Sequence, residues 1–392
     1  MVCLGPPGTG KTTVVRAGIQ EVLKTGGSVL FALPTAQLAE KMRSKLPKND
    51  ALRVDTFTAA FRLHLPEEEG LYSMYGYDLV VVDELSQLTR EDFERIVKTW
   101  EIADRTPTLV FLGDKYQLPG RGQRAWTSPA WNRVSVKFWE LHEVRRCKDE
   151  DFLKTLHSLR VSMPDKMLLN KILRNHKAWH GEEPVAADVG RILRAHPEAT
   201  WVAATRVGVA TINALALQAL HPRKEPLAIL PGTFEDNPEN YVNSELRSDR
   251  LPLPSDTPIF KGMKIYLTKN VRKEDDYING MLCEVLSLEA TISSGRKQYV
   301  LWVWTRTNKR LPITIWSDPE RPGLTYYPIR LGYCSTVHKV QGDEFPFIII
   351  YLDVPNMVAV AYTALSRVSY ASNYLIAGKG YLTPEHFAPA TM

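Results

Sequence analysis

The octet Gly5-Pro6-Pro7-Gly8-Thr9-Gly10-Lys11-Thr12 has the spacing GxxxxGK[ST]. It follows the apolar run Val2-Cys3-Leu4 and precedes Thr13 to Leu23, whose pattern predicts a helix. A strand, a glycine-rich loop and a helix in that order are the setting in which the pattern binds phosphate. Glycines let backbone N–H groups approach an anion, and the helix that follows adds the positive end of its dipole. Lys11 is expected to reach the β- and γ-phosphates of a nucleoside triphosphate. Thr12 is expected to offer its hydroxyl to Mg²⁺, with Gly5 through Thr13 lining the site.

A triphosphate site that hydrolyses its ligand also needs carboxylates. Tyr77-Asp78-Leu79-Val80-Val81-Val82-Asp83-Glu84 reads as a buried strand ending in two of them. Asp83 is expected on the Mg²⁺ side and Glu84 as the base that polarises water. Farther along, Thr108 to Leu112 reads as a strand leading into Gly113-Asp114-Lys115-Tyr116-Gln117-Leu118-Pro119.

The elements that position these groups alternate. Ser28 to Leu33 reads as a parallel strand stopped by Pro34-Thr35, and Thr35 caps a helix to about Lys45. Val54 to Phe57 is a strand end leading to a helix at Thr58 to Arg62. Pro66 to Gly76 is a short acidic loop, and Arg90 to Asp104 an amphipathic helix. Strands alternating with helices predict a doubly wound parallel sheet with ligands at the strands' carboxyl ends.

At 392 residues the chain is long enough for two or three domains at about 150 residues each. Its 24% charged residues and net charge of +5 suit a globular protein with a polyanionic partner but do not identify one. Cys3, Cys147, Cys283 and Cys334 are scattered outside any CxxC or Cys/His spacing, which argues against a disulfide framework or structural zinc. No apolar run reaches the ~18 residues of a membrane span, and no signal peptide is apparent. The expectation is an intracellular protein that does not engage membranes.

With Gly113 to Pro119 on the page, the chain resembles the superfamily 1 helicases, in whose third motif, GDxxQLP, the glutamine senses the γ-phosphate; that role falls to Gln117. Ala125-Trp126-Thr127-Ser128-Pro129-Ala130-Trp131 and Leu141 to Phe152 resemble the next segment of the Pif/RecD type. Arg146 matches the family's fourth-motif arginine, with Arg145 as its rival, and Cys147 stands where the family usually has glutamine. Tyr333 to Glu344, containing Val337-His338-Lys339-Val340-Gln341-Gly342, resembles the fifth motif. Tyr362-Thr363-Ala364-Leu365-Ser366-Arg367 resembles the sixth. The resemblance implies Arg367 as a second arginine finger and Gln341 and Gly342 near the γ-phosphate. It implies nucleic-acid contacts at Pro34, Thr35, Thr56 and Phe57 on one lobe, and at Thr205, Thr336, His338 and Lys339 on the other.

The fold so implied is α/β: two RecA-like doubly wound parallel-sheet lobes with a small SH3-like β-barrel inserted in the second. Residues 1–140 are expected to form lobe 1, with a short insertion near 58–77. Residues 141–257 and 330–392 would form lobe 2, and 258–329 the barrel. Helices fit Asp149 to Arg160, Pro164 to Asn175 and Val185 to Ala195. Thr200 to Thr205 reads as a strand followed by a helix to about Leu220, and the proline-rich stretch His221 to Pro258 as a long loop or insertion. Short strands are expected at Lys261 to Asn270, Tyr277 to Val285, Gln298 to Thr305 and Leu311 to Trp316. Arg296, Lys297, Arg306, Lys309 and Arg310 there interleave with Tyr299, Trp302 and Trp304, a composition suited to single-strand binding; the tryptophans are expected to pack inward.

The function implied is ATP- and Mg²⁺-dependent 5′-to-3′ movement on single-stranded DNA or tailed duplex, by a monomeric motor that can be part of a longer polypeptide. Repair and recombination are the family's settings. The family reads adenine with a glutamine-containing segment before the first strand, and only four residues precede Gly5 here, so weak ATP-over-GTP discrimination is expected. Two rivals remain open at this point: a viral-type superfamily 1 RNA helicase, and a nucleic-acid-binding adaptor with vestigial hydrolysis.

Overall fold

Six short strands, each ending where a motif begins, form the first sheet: Val2–Leu4 (β1), Val29–Leu33 (β2), Leu52–Thr56 (β3), Leu79–Val82 (β4), Thr108–Gly113 (β5) and Phe138–Glu140 (β6). The computed structural model describes residues 1–392 except 104, 121, 179–182, 223, 234–253, 273–274, 294–295, 320, 355–356, 379–383 and 391–392. All pairings in the first sheet are parallel, in the order β3-β2-β4-β5-β1-β6. Strands β1, β2 and β4 are buried throughout, as a parallel sheet covered on both faces requires. The covering helices include Lys11–Lys24 (α1), Ala36–Arg43 (α2), Phe57–Ala60 (α3), Glu67–Gly70 (α4), Arg90–Glu101 (α5) and Trp131–Val134 (α6). Thr35 caps α2, its hydroxyl accepting from Leu38 N at 3.2 Å.

The second lobe contains Glu150–Val161 (α7), Lys166–Leu173 (α8), Ala186–Ala195 (α9), Thr200–Ala203 (β7) and Arg206–Leu220 (α10). Asp149 caps α7, its carboxylate accepting from Asp151 N and Phe152 N. Next in the chain come two antiparallel strands, Ala228–Gly232 (β8) and Ser255–Ile259 (β9). Over His221 to Pro258, expected as a long loop or insertion, they add a ribbon that sequence reading did not assign, while 234–253 lies outside the described residues. Pro231 and Pro258 disguised these strands. A two-stranded ribbon consists of edges, where proline is tolerated.

A five-stranded antiparallel sheet follows, built from Lys264–Leu267 (β10), Leu282–Ser293 (β11), Arg296–Thr305 (β12) and Arg310–Ile313 (β13). A small ribbon, Trp316–Ser317 (β14) and Thr325–Tyr326 (β15), leads to Ile329–Leu331 (β16). The order is β13-β12-β11-β10-β16. The strand expected from Tyr277 begins only at Leu282, because Tyr277 to Met281 form a turn that returns Gly280 N to Leu267 O. Leu301 and Val303 face the core, so the period-two alternation turns Trp302 and Trp304 to the other face. Trp304 is 43% exposed and Trp302 lies under the Arg310 guanidinium at 4.0 Å, contrary to the inward packing expected of them. The side chains of Arg296 and Lys297 lie outside the described residues.

Cys334–Thr336 (β17), Ile348–Leu352 (β18), Val360–Leu365 (α11) and Tyr374–Gly378 (β19) complete the second lobe. Its sheet is parallel throughout, in the order β17-β7-β18-β19. All four cysteines are buried and unpaired. Among the described residues no helix is long and apolar enough to cross a membrane.

Candidate nucleotide cleft and nucleic-acid groove

The phosphate loop turns between β1 and α1 with Gly8 and Gly10 both at φ 83°, a left-handed conformation that glycine adopts without penalty. Gly8 is also fixed by a neighbour: a Cβ there would stand 2.4 Å from Arg146 Cβ. Arg145 N donates to Gly8 O at 2.8 Å, so the segment carrying both arginines is bound to the loop itself. Lys11 Nζ donates to Gly5 O at 2.6 Å and Pro6 O at 2.9 Å. Burial holds the Lys11 ammonium below the ordinary lysine range, opposed by Asp114, Glu84 and Asp83. Thr12 Oγ1 donates to Asp83 Oδ2 at 3.2 Å. A hydroxyl and a carboxylate side by side form a hard, all-oxygen donor pair, which fits Mg²⁺ with its remaining positions left to water and phosphate.

Asp83 is buried, and Glu84 beside it has φ 57°, with its N–H donating to Asp83 Oδ1 at 2.8 Å. Burial raises both carboxyl groups above the usual range. For Glu84 the charge of Asp83 adds to that effect, and Arg367 opposes it. The other lobe reaches this pair through Gln341, whose Nε2 donates to Ser86 Oγ at 2.8 Å and to Glu84 Oε2 at 3.5 Å.

After β5 the chain turns into a set of bonds between lobes. Arg367 Nη2 donates to Gln117 Oε1 at 3.1 Å, Leu118 N to Thr363 Oγ1 at 2.8 Å, and Tyr362 Oη to Asp114 Oδ2 at 2.8 Å. Asp114, with no exposed surface, also meets Arg160 of α7 at 3.2 Å. Arg367 is 1% exposed. Its burial, with the charge of Arg146 nearby, brings its guanidinium down to about 10, which leaves it charged at neutral pH. Arg146 Nη1 donates to Ser366 O at 3.4 Å, and its Nε lies 3.4 Å from Glu344 Oε1. A cavity of about 430 Å³ gathers Lys11, Thr12, Asp83, Glu84, Gln117, Arg146, Gly342 and Arg367.

A second cavity, about 470 Å³, runs past the other side of the same motifs. Lobe 1 lines it with Pro34, Thr35, Gln37, Thr56 and His64. The antiparallel sheet and its loops add Tyr266, Asn270, Asn279, Arg306 and Arg330, and lobe 2 adds Ser335, Lys339, Asp343 and Phe345. The Arg330 guanidinium stacks 4.3 Å from the Tyr266 ring. Cations, an aromatic ring and amides along one groove are the composition that tracks a single strand.

Comparison with known proteins agrees with this geometry. Residues 1–182 match the family model described as an AAA domain. The chain is 22% identical over 318 residues to the ATP-dependent DNA helicase Pif1 of Campylobacter jejuni, covering 74% of this chain and 67% of that protein. It is 30% identical over 156 residues to the ATP-dependent DNA helicase dda of Enterobacteria phage T4, 36% of this chain and 34% of that protein. Among solved structures, the Candida albicans Pif1 helicase superposes with a TM-score of 0.69 at 18% identity, covering 99% of this chain and 92% of that one. Bacteroides Pif1 bound to single-stranded DNA gives 0.67 at 19%, covering 99% and 90%. The chain has the fold of the Pif1 helicases.

Within this fold, the structure draws the expected phosphate-loop, carboxylate, glutamine and arginine residues into one cleft. The expected strand contacts divide. Pro34, Thr35, Thr56 and Lys339 line the groove, but Phe57 is 7% exposed and packs in the core of lobe 1. Thr205 caps α10, accepting from Gly208 N at 3.1 Å while its hydroxyl bonds Asp353. Thr336 precedes the turn Val337–Val340 and is outside the groove lining, and His338 Nε2 lies 3.2 Å from Pro119 O of the other lobe. Sequence reading did not single out Gln37, Tyr266, Asn270, Arg330 or Asp343, and it used Asn279 only as a mark of the inserted barrel. Some of these lay inside quoted segments, but none stood at a motif position whose chemistry is readable alone.

Proposed function

We propose that this chain is an ATP-dependent DNA helicase: a monomeric motor that couples hydrolysis to 5′-to-3′ movement along single-stranded DNA and opens tailed duplexes inside the cell. The observation that supports this best is the Arg367–Gln117 bond, which brings a cation of the second lobe into the cavity holding the phosphate loop. A triphosphate cradled by Gly5 to Thr13 and Lys11 would meet Arg146, whose segment is bound to that loop, and would meet Arg367 only while the lobes are closed. Loss of the γ-phosphate would remove that differential contact and let them part. Thr12 and Asp83 would hold Mg²⁺, which when bound neutralises charge on the phosphates. Glu84 would orient and deprotonate water, and Gln117 would register the γ-phosphate.

The groove supplies the other half of the cycle. Its walls come from lobe 1, the antiparallel sheet and lobe 2, so relative motion of the lobes would shift one set of strand contacts against the other. We place the lobes at 1–140 and at 141–257 with 332–392, and the inserted sheet at 258–331, two residues past the expected end because β16 pairs with β10.

The test is ATP hydrolysis with and without single-stranded DNA or RNA, followed by unwinding of duplexes tailed on the 5′ or the 3′ side. Stimulation by DNA and opening of the 5′-tailed substrate are expected. Stimulation by RNA alone would turn the reading toward an RNA helicase, and absence of hydrolysis toward an adaptor.

A further inference from the structure

Between the two cavities stands one ion pair. Lys41, on α2 of lobe 1, lines the nucleotide cleft; Asp343, after β17 of lobe 2, lines the groove; and Lys41 Nζ lies 3.0 Å from Asp343 Oδ1. The Asp343 side chain is 12% exposed and that of Lys41 39%, so the carboxylate is the more sheltered partner.

Asp343 belongs to a loop that grips the chemistry from both sides. Gln341 reaches Glu84 and Ser86. Gly342, at φ 84°, comes so near lobe 1 that a Cβ would stand 2.9 Å from Leu38 Cδ1 and 3.2 Å from Glu84 Oε1. Glu344 holds Arg146. In this arrangement the carboxylate assigned to polarise water and one of the two fingers both have protein partners, and Lys41–Asp343 ties the loop to lobe 1.

We propose that the Lys41–Asp343 pair is a relay through which a strand in the groove releases nucleotide hydrolysis in the cleft, Asp343 and Lys41 acting as positioning residues. The inference rests on the two-site reading given under Proposed function. Each ligand loosens the pair by charge. A phosphodiester in the groove repels the Asp343 carboxylate, and a polyphosphate in the cleft draws Lys41 away from it. Either pull weakens the tie, so the two ligands favour each other's binding through one element that both bias. Once Asp343 is released, the 341–344 loop is free to withdraw Gln341 from Glu84 and Glu344 from Arg146.

The experiment is steady-state ATP hydrolysis by the whole chain, without and with saturating oligothymidylate, for wild type, Asp343→Asn, Lys41→Met, the double variant and Asp343→Glu. In Asp343→Asn, strand-free turnover is expected to rise about fivefold, the lower end of ordinary coupling between sites, while the strand-saturated ceiling stays put. Lys41→Met should raise it likewise, and the double variant no further than either alone. Asp343→Glu, which keeps the charge, should stay below Asp343→Asn. A general structural role would instead lower the ceiling and make the two losses additive. A wild type that responds to the strand while Asp343→Asn keeps wild-type turnover in both conditions overturns the relay alone. A wild type whose turnover ignores the strand overturns the two-site reading, and the relay with it.

Discussion

Arg367 and Gln117 are joined by a 3.1 Å bond between two buried side chains, one from each lobe. The bond closes the nucleotide cleft opposite Lys11, and it makes a sharp kinetic prediction. Arg367→Ala should lower ATP turnover by about 10³, the low end of what an arginine finger contributes. Arg367→Lys should restore little, because a point charge cannot reproduce the bond to Gln117 and the fork toward phosphate together. Steady-state hydrolysis beside a separate nucleotide-binding titration checks this; a variant keeping more than about a tenth of wild-type turnover would count against the role.

The carboxyl group of Glu84 is raised by burial and by Asp83. A base works ionised, so the acid limb of the pH profile of kcat/KM, which reports the free enzyme, should lie above the ordinary glutamate range and turnover should rise through it. Glu84→Gln should lower turnover by about 10² or more, and the residual activity should lack the limb. An acid limb at or below about pH 4 would contradict the assignment.

Asp114 has no exposed surface and Arg160 very little, and they lie 3.2 Å apart with Tyr362 and Glu140 satisfying their remaining bonds. Arg160→Met, which strands a buried carboxylate, should destabilise the chain by about 3 to 5 kcal/mol. Asp114→Asn combined with Arg160→Met should cost less than that single change. Urea unfolding monitored by far-ultraviolet circular dichroism reads both. A single change costing under about 1 kcal/mol would show the pair to be wetter than its burial implies.

Groove cations should act through phosphate. Arg306→Ala should weaken binding of oligothymidylate and of mixed-sequence single strands alike. It should reduce the slope of log K against log salt by about 0.7, the value for one phosphate contact on a single strand. Fluorescence anisotropy across a salt series measures it, and an unchanged slope would place Arg306 outside the strand path.

The amino-acid order alone determined the chemical centre of this protein. The phosphate loop and Asp83-Glu84 are legible because each stands at the end of an apolar strand, where local spacing fixes what the side chain can reach, whereas Gln117, Arg146 and Arg367 were legible only through the resemblance of the motifs that contain them. The parallel sheets were legible for the same reason, since strands buried on both faces read as continuous apolar runs such as Leu79–Val82.

Only the tertiary structure decided what depends on distant residues meeting. Phe57 reads as a motif neighbour of Thr56, yet the turn into α3 carries it into the core while Thr56 stays on the groove. The ribbon β8–β9 was hidden behind its prolines, and the outward tryptophans of β12 followed from a register that pairing sets. Lys41 and Asp343 stand 302 positions apart. No periodicity connects such a pair, because an ion pair between lobes is specified by how two sheets pack and not by the local pattern of either.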